Sequence, residues 1–199
     1  RAVSRVLTML LLSLSSVAAV AQKHNIPASW GDDGWGKPIR SMEEIRNEDV
    51  VRQRWDISCG AAALSTLLTY EFKDKTPETD IVVWMLHRTS PTRVRARHGF
   101  SLLDMKHFAQ ARGYTADGFS DMSLQELSSQ PSAVIVPIRL KGFDHFVVVK
   151  GVADGRVFLA DPGFGNTTIR TERFQRLWKN GIVFIVHPPD ARMLVGKEI

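Results

Sequence analysis

The stretch Gln53–Tyr70, QRWDISCGAAALSTLLTY, constrains this chain more than any other. Ala61, Leu64, Ser65, Leu68 and Thr69 recur at helical spacing, and Ala62, Ala63 and Leu67 widen the apolar face. The spacing predicts a helix buried on most sides, and 199 residues are enough for one domain with a core that can bury it. The only cysteine, Cys59, falls in the first turn of this helix, with Ser58 or Asp56 as its expected cap. Unpaired backbone N–H groups and the positive end of the helix dipole favour a thiolate there. Gln53, six residues upstream, carries a side-chain amide suited to a developing oxyanion. An inert core cysteine is the competing reading. The position at a helix start, directly before Gly60, favours the chemical one.

The amino terminus gives an address. Arg1 and Arg5 precede an apolar run from Val6 to Val20, and Ala19-Val20-Ala21 closes it with a small-x-small cleavage signal. This is the layout of a secretory leader over residues 1–21, with a buried helix or an uncleaved anchor as the alternatives. The expected location is therefore the periplasm, with membrane contact only through the leader. Loss of Arg1 and Arg5 lowers the formal charge from +5 to +3, so part of the basic character belongs to the export signal. A single cysteine excludes an internal disulfide framework in an exported chain. It leaves a free thiol outside the cytosol, which is a liability unless the thiol has a use.

From Gln22 to Pro38 the chain is rich in Gly, Asp, Pro and Trp without apolar period, so residues 22–49 read as an N-terminal arm, with Trp30 and Trp35 as anchors. Within the arm, Ser41 and Glu44 form a capping box for a short polar helix. The catalytic domain is expected over 50–190 and a short tail over 191–199. After the cysteine helix, Thr76-Pro77 reads as N-cap and first residue of a helix reaching about His87. Arg88–His98 reads as a solvated basic loop; no aromatic residues interleave its arginines, so no nucleic-acid partner is expected. Ser101 and Asp104 cap a third helix that Gly113 stops.

The second half changes period. Tyr114–Phe119, Ala133–Ile138, His145–Val149, Val157–Ala160 and Ile182–Val186 are strand runs, with a helical turn at Ser123–Leu127 and a short helix at Thr171–Trp178. Asp154-Gly155 is a hairpin turn. Helices first and mostly consecutive strands afterwards predict an α+β fold, with N-terminal helices packed on an antiparallel sheet.

An activated cysteine needs a base, and the base needs an orienting partner. Among the histidines His145 alone begins a strand run, after Gly142-Phe-Asp; His24, His98 and His187 read as surface residues. Asp161, closing the next strand in Leu-Ala-Asp-Pro-Gly, is the candidate orienter. A two-residue turn at Asp154-Gly155 pairs Asp161 with Val148 rather than His145, so contact requires twist, a bulge or reach from the strand end. The histidines lack close ligand spacing and Gly163-Phe-Gly165 lacks a phosphate-loop lysine, so neither metal nor cofactor is expected.

Gln53, Cys59-Gly60, His145 before an apolar strand and Asp161-Pro162 together resemble the papain-fold cysteine peptidases that remove double-glycine leader peptides. Gly99-Phe-Ser-Leu-Leu-Asp-Met-Lys resembles a second helix of that family, so the similarity covers roughly Val50 to Val186. The family carries an acidic residue directly before the cysteine, where this chain has Ser58. With its export leader the chain is most similar to the free-standing members found in functional-amyloid (Fap-type) secretion systems. The resemblance implies Cys59 as nucleophile, His145 as proton shuttle, Asp161 as orienter, and Gln53 with the Cys59 N–H as oxyanion donors. It also implies a peptide or protein substrate, such as an exported amyloid subunit or a secretion component. Glycine or alanine would precede the cut. By its position shortly before Cys59, Trp55 is a candidate for narrowing the cleft, with a packed core tryptophan as the equal alternative. Two other readings share these residues: an acyltransferase of transglutaminase-like type, and a non-catalytic peptide-binding module.

Overall fold

The computed structural model describes residues 39–140 and 142–189. The leader, the arm up to Pro38 with His24, Trp30 and Trp35, and the 191–199 tail lie outside the described residues. The order is α1 (Met42–Asn47), α2 (Cys59–Thr66), a π-helical turn (Leu67–Glu71), α3 (Glu78–Leu86), α4 (Pro91–Ala96), α5 (Leu102–Ala111), β1 (Thr115–Phe119), α6 (Leu124–Ser128), β2 (Val134–Leu140), β3 (Phe143–Ala153), β4 (Arg156–Asp161), β5 (Gly165–Arg170), α7 (Thr171–Leu177) and β6 (Val183–His187). Among the described residues the strands form one six-stranded sheet, β1-β6-β2-β3-β4-β5, and every pairing in it is antiparallel. The α+β expectation holds.

The sheet has two covered faces. On one, Val148 and Ala160 join Ala61, Leu64, Ile81, Met105 and Phe108, so α2, α3 and α5 pack there. On the other, Val147, Val149 and Leu159 join Leu127 of α6 and Phe174 of α7. Every residue of α2 is buried, as its all-round apolar composition requires. At Gly60, α2 packs closely on α5 and β3: a Cβ there would stand 3.1 Å from Met105 Sδ and 3.3 Å from the Phe146 ring. The residue after the cysteine is small because α5 and β3 leave no room for more.

Several boundaries differ from the expected ones, each for a local reason. Ser58 occupies the N-cap position of α2 but makes no capping bond. Its hydroxyl oxygen instead accepts the Trp55 N–H at 3.2 Å, and its one hydrogen has two acceptors in reach, Glu78 Oε1 at 2.6 Å and the Trp55 carbonyl at 2.8 Å. Pro77, not Thr76, is the N-cap of α3, because the Thr76 hydroxyl is turned to the Asp74 carbonyl. The expected basic loop contains α4, begun by Pro91 at its first turn and anchored by the buried Val94. Strand β5 was not foreseen. Its sequence, GNTTIR, offers one large apolar side chain, and it pairs as an edge strand along the whole of β4. The capping boxes at Ser41/Glu44 and Ser101/Asp104 form as expected.

The pairing of β3 with β4 decides the site. Ala153 stands opposite Arg156 and Gly151 opposite Phe158, the register of a hairpin turning at Asp154-Gly155. Between Val149 and Gly151 the register slips by one, so Val149 faces Leu159 and Val148 faces Ala160. Lys150 is the extra residue of a β-bulge. Continued to the strand end, this register sets Asp161 beside Val147 instead of Val148. Because side chains alternate between faces, Asp161 then shares the face of Val147 and His145.

Candidate active site

His145 Nε2–H donates to Asp161 Oδ1 at 2.7 Å. The same oxygen accepts the backbone N–H groups of Gly163 at 2.8 Å and Phe164 at 3.2 Å, so the Asp-Pro-Gly turn folds over its own carboxylate. Gly163 permits that closure: a Cβ there would lie 3.3 Å from Asp161 Oδ1 and 3.7 Å from His145 Cε1. Asp161 is 4% exposed. With Nε2 committed to Asp161, the other ring nitrogen, Nδ1, is left for Cys59, which lines the same groove as His145 and Asp161.

These contacts set the charge of the pair. Burial by itself lowers the His145 pKa by disfavouring the imidazolium. The hydrogen bonds to Asp161 and Cys59, with the charge of both, outweigh burial and raise it from 6.5 to about 9. At neutral pH His145 is therefore a cation, held between a carboxylate and a sulfur. Cys59 itself is buried in the first turn of α2, where the backbone N–H groups of Cys59, Gly60 and Ala61 have no helical acceptor.

Gln53 lies on the strand-like lead into α2, beside the Asp161 turn. Its backbone N–H donates to the Pro162 carbonyl at 2.9 Å. One side-chain N–H donates to the Trp55 carbonyl at 3.0 Å, which leaves the second amide hydrogen free; Oε1 is buried without a partner. The structure thus joins His145 with Asp161 directly, sets Cys59 in the same groove, and brings Gln53 to the Asp161 turn through the backbone. Trp55 is half exposed and is not among the residues lining either groove at Cys59, and it is not a packed core residue.

Three residues at the site were not singled out from sequence for it. Arg52 donates through Nε to the Pro162 carbonyl at 3.1 Å and through Nη2 to the Gly163 carbonyl, clamping the Asp161 turn from outside. Glu78, only 4% exposed, accepts the Arg54 N–H at 3.1 Å and the Ser58 hydroxyl at 2.6 Å, which ties the Gln53–Cys59 loop to α3. Its sole sequence signal was an acid in the first turn of a helix. His98 is exposed, as expected of a surface residue, and it also lines the cleft, in contact with Phe143. Its backbone is left-handed (φ 58°), a conformation in which histidine is enriched.

Comparison with known proteins agrees with this geometry. The family model described as "Peptidase C39 family" matches residues 47–191. A protein of Pseudomonas aeruginosa named "Probable functional amyloid protease FapD" is 34% identical over 182 residues, covering 92% of this chain and 79% of that one. A namesake from Pseudomonas fluorescens is 34% identical over 179 residues, covering 90% and 78%. Among solved structures, the peptidase domain of Streptococcus ComA, a bi-functional ABC transporter, shares the fold with a TM-score of 0.59 at 22% identity, over 70% of this chain and 97% of that one. A double glycine motif protease from an AMS/PCAT transporter, solved with its leader peptide, gives 0.53 at 27% identity, over 70% and 90%. The fold is the papain-like one of these domains, and the chain belongs to the peptidase C39 family of cysteine peptidases.

Proposed function

We propose that this chain is an exported endopeptidase that cleaves a secreted polypeptide after small residues through Cys59, His145 and Asp161. The observation that carries the reading is the His145–Asp161 hydrogen bond at 2.7 Å in the groove that Cys59 also lines. The Cys59 thiolate attacks the scissile carbonyl, and the oxyanion is met by the Cys59 N–H and the free amide hydrogen of Gln53. His145 passes its Nδ1 proton to the departing amine, leaving an acyl thioester. The neutral imidazole then takes a proton from water, the resulting hydroxide attacks the thioester, and the proton returns to the pair as the acid leaves. Asp161 keeps the ring oriented throughout, as its fixed contacts with the Gly163 and Phe164 N–H groups require.

The relatives named as functional amyloid proteases support an exported amyloid subunit, or a component of its secretion system, as substrate. The leader at 1–21 supports action in the periplasm. No helix among the described residues is long and apolar enough to cross a membrane.

The test is cleavage of peptides carrying Gly-Gly or Gly-Ala by wild type, Cys59→Ala and His145→Ala, with products mapped by mass spectrometry. Cleavage after the small pair by wild type alone is expected. Equal cleavage by Cys59→Ala would overturn the assignment. N-terminal sequencing of the periplasmic fraction checks export; recovery of full-length membrane-bound chain alone would refute it.

A further inference from the structure

Between Asp80 and Asp104 the chain holds four arginines and neither aspartate nor glutamate. Arg88 follows α3, Arg93 and Arg95 belong to α4, and Arg97 is its C-cap. All four are exposed, and among the described residues none of them makes an ion pair. Arg88 is drawn back onto its own helix, its guanidinium 3.9 Å from the centre of the Trp84 ring. Arg93, Arg95 and Arg97 stay open to solvent. They stand on a fixed support: Val94 between them is buried, and the Arg97 and His98 N–H groups close the last turn onto the Arg93 and Arg95 carbonyls at 3.1 Å each. A cation in the last turn of a helix complements its dipole. One arginine meets that need and leaves the others unexplained.

Arg97 ties the cluster to the site. It lines one of the two grooves at Cys59, together with His98, Phe100, Leu102, Phe146 and Lys179. Asp144 is in the same lining, and the Lys179 ammonium answers it at 2.6 Å. Arg97 is left as a cation of that groove with no carboxylate bonded to it. On α5, burial raises the Asp104 pKa, but bonds from Thr89 and Ser101, with the charge of Arg97 added, outweigh it and hold the carboxyl below its ordinary value. Asp104 is thus ionised and offsets Arg97 in part. Its oxygens are already taken, one by the Thr89 hydroxyl and the other by the N–H and hydroxyl of Ser101. Arg93 stands one turn back from Arg97 on the same side of α4, since residues four apart are neighbours on a helix.

We propose that Arg93, Arg95 and Arg97 dock an acidic segment of the substrate polypeptide beside the bond that is cut. The proposal rests on the peptidase reading above and adds a charge requirement to it. Continuity of the cluster with the groove at Cys59 favours a chain over a lipid surface as the occupant. A groove takes an extended peptide, whereas firm attachment of a helix to a bilayer needs an apolar face beside the cations. Val94, the one large apolar side chain of α4, is buried and cannot be inserted. Exposed ion pairs are weak singly and are screened by salt. Three together draw an acidic chain to the groove and leave the chemical step alone, so their effect falls on KM rather than on kcat.

The experiment compares wild type with a variant carrying Arg93→Gln, Arg95→Gln and Arg97→Gln, and with one carrying Lys at the same positions; thermal melts confirm that both fold. Peptides have Gly-Gly at the bond and a run of Glu or of Gln, placed before the bond in one pair and after it in another. In wild type at low salt, kcat/KM for the Glu peptide is expected to exceed that for its Gln counterpart about tenfold in one placement, through KM. The ratio should fall toward one in the Gln variant and in about 0.5 M NaCl, and persist in the Lys variant. A second readout needs no cleavage: fluorescence anisotropy of the labelled Glu peptide on Cys59→Ala, with and without the three Gln substitutions, where affinity should drop about tenfold. Cleavage with the same Glu-to-Gln ratio in wild type and Gln variant overturns the docking site and leaves the peptidase standing. If no peptide is cut while arginine-dependent binding is seen, the docking site stands and the peptidase reading fails. If neither is seen, both are overturned. Arginine-dependent flotation with phosphatidylglycerol vesicles, without binding of the Glu peptide, makes the cluster a lipid-docking surface and overturns the proposal.

Discussion

Asp161 Oδ1 holds His145 Nε2 at 2.7 Å while also accepting two backbone N–H groups of its own turn. The carboxylate is therefore fixed before the imidazole arrives, and the ring takes the orientation that the turn dictates. With His145 raised to about 9, the competent pair persists through neutral pH and loses its proton as pH passes that value. The expected kcat/KM profile has an alkaline limb near pH 9. In Asp161→Asn the carboxylate charge is gone, so the limb shifts toward lower pH and the rate falls. A limb unchanged in Asp161→Asn would refute the coupling.

The same shift has a consequence for stability. A histidine whose folded pKa lies above its unfolded value stabilises the fold fully below the unfolded pKa of about 6.5, and this contribution is lost as pH rises through about 9. Urea midpoints of wild type are expected to drop between pH 7 and pH 10 by more than those of His145→Ala. Parallel curves for the two proteins would contradict this.

Gly163 and Gly165 bracket the turn, and alanine is predicted to act differently at each. At Gly163 the added methyl crowds Asp161 and His145, so kcat/KM should fall about tenfold with little change in Tm. At Gly165 the backbone is left-handed (φ 82°), and a Cβ would run into the Arg46 carbonyl of α1. Gly165→Ala is expected to cost at least about 2 kcal/mol, seen as a Tm lower by about 4–8 °C. Thermal melts and initial rates on both variants separate the two effects.

Glu78→Ala removes the acceptor of the Arg54 N–H and one acceptor of the Ser58 hydroxyl. Stranding the Arg54 donor in a part-buried loop is expected to cost about 1–3 kcal/mol. Activity should fall more than stability does, because the loop joins Gln53 to Cys59. Glu78→Gln keeps an oxygen for both donors and should retain most of each. Equal losses in the two variants would point to the carboxylate charge rather than to the clamp.

Cys59→Ser changes little volume in the first turn of α2, so its Tm is expected within a few degrees of wild type while cleavage disappears. Residual cleavage beyond trace level would move the nucleophile elsewhere.

Much of this was legible in the residues because local signals and tertiary structure agree. The capping boxes at Ser41 and Ser101 and the hairpin at Asp154-Gly155 stand where the residues put them. The apolar runs of β2, β3 and β6 became central strands, and the all-round apolar α2 became a core helix. What escaped lacked an apolar signal. Edge strand β5 takes its partner from β4, not from its own Asn and Thr residues, and α4 rests on one buried valine. The gap in the strand arithmetic between His145 and Asp161 closes at Lys150. The neighbouring Gly151 was the only hint, since an isolated glycine inside a strand run marks a bulge. Glu78 escaped because its role exists only once α3 packs beside the loop before α2.

The Asp161 turn is held by Arg52 and Gln53, residues that precede it by more than a hundred positions. Synthesis runs from the amino terminus, so the emerging chain presents its thiol well before the imidazole and carboxylate exist. Until the stretch through Gly163 has been made and drawn back against Arg52 and Gln53, Cys59 has no base and the turn has no clamp. Such distant contacts close late in folding. An incomplete chain is thus a dormant enzyme, and its power to cut arrives only with the completed fold.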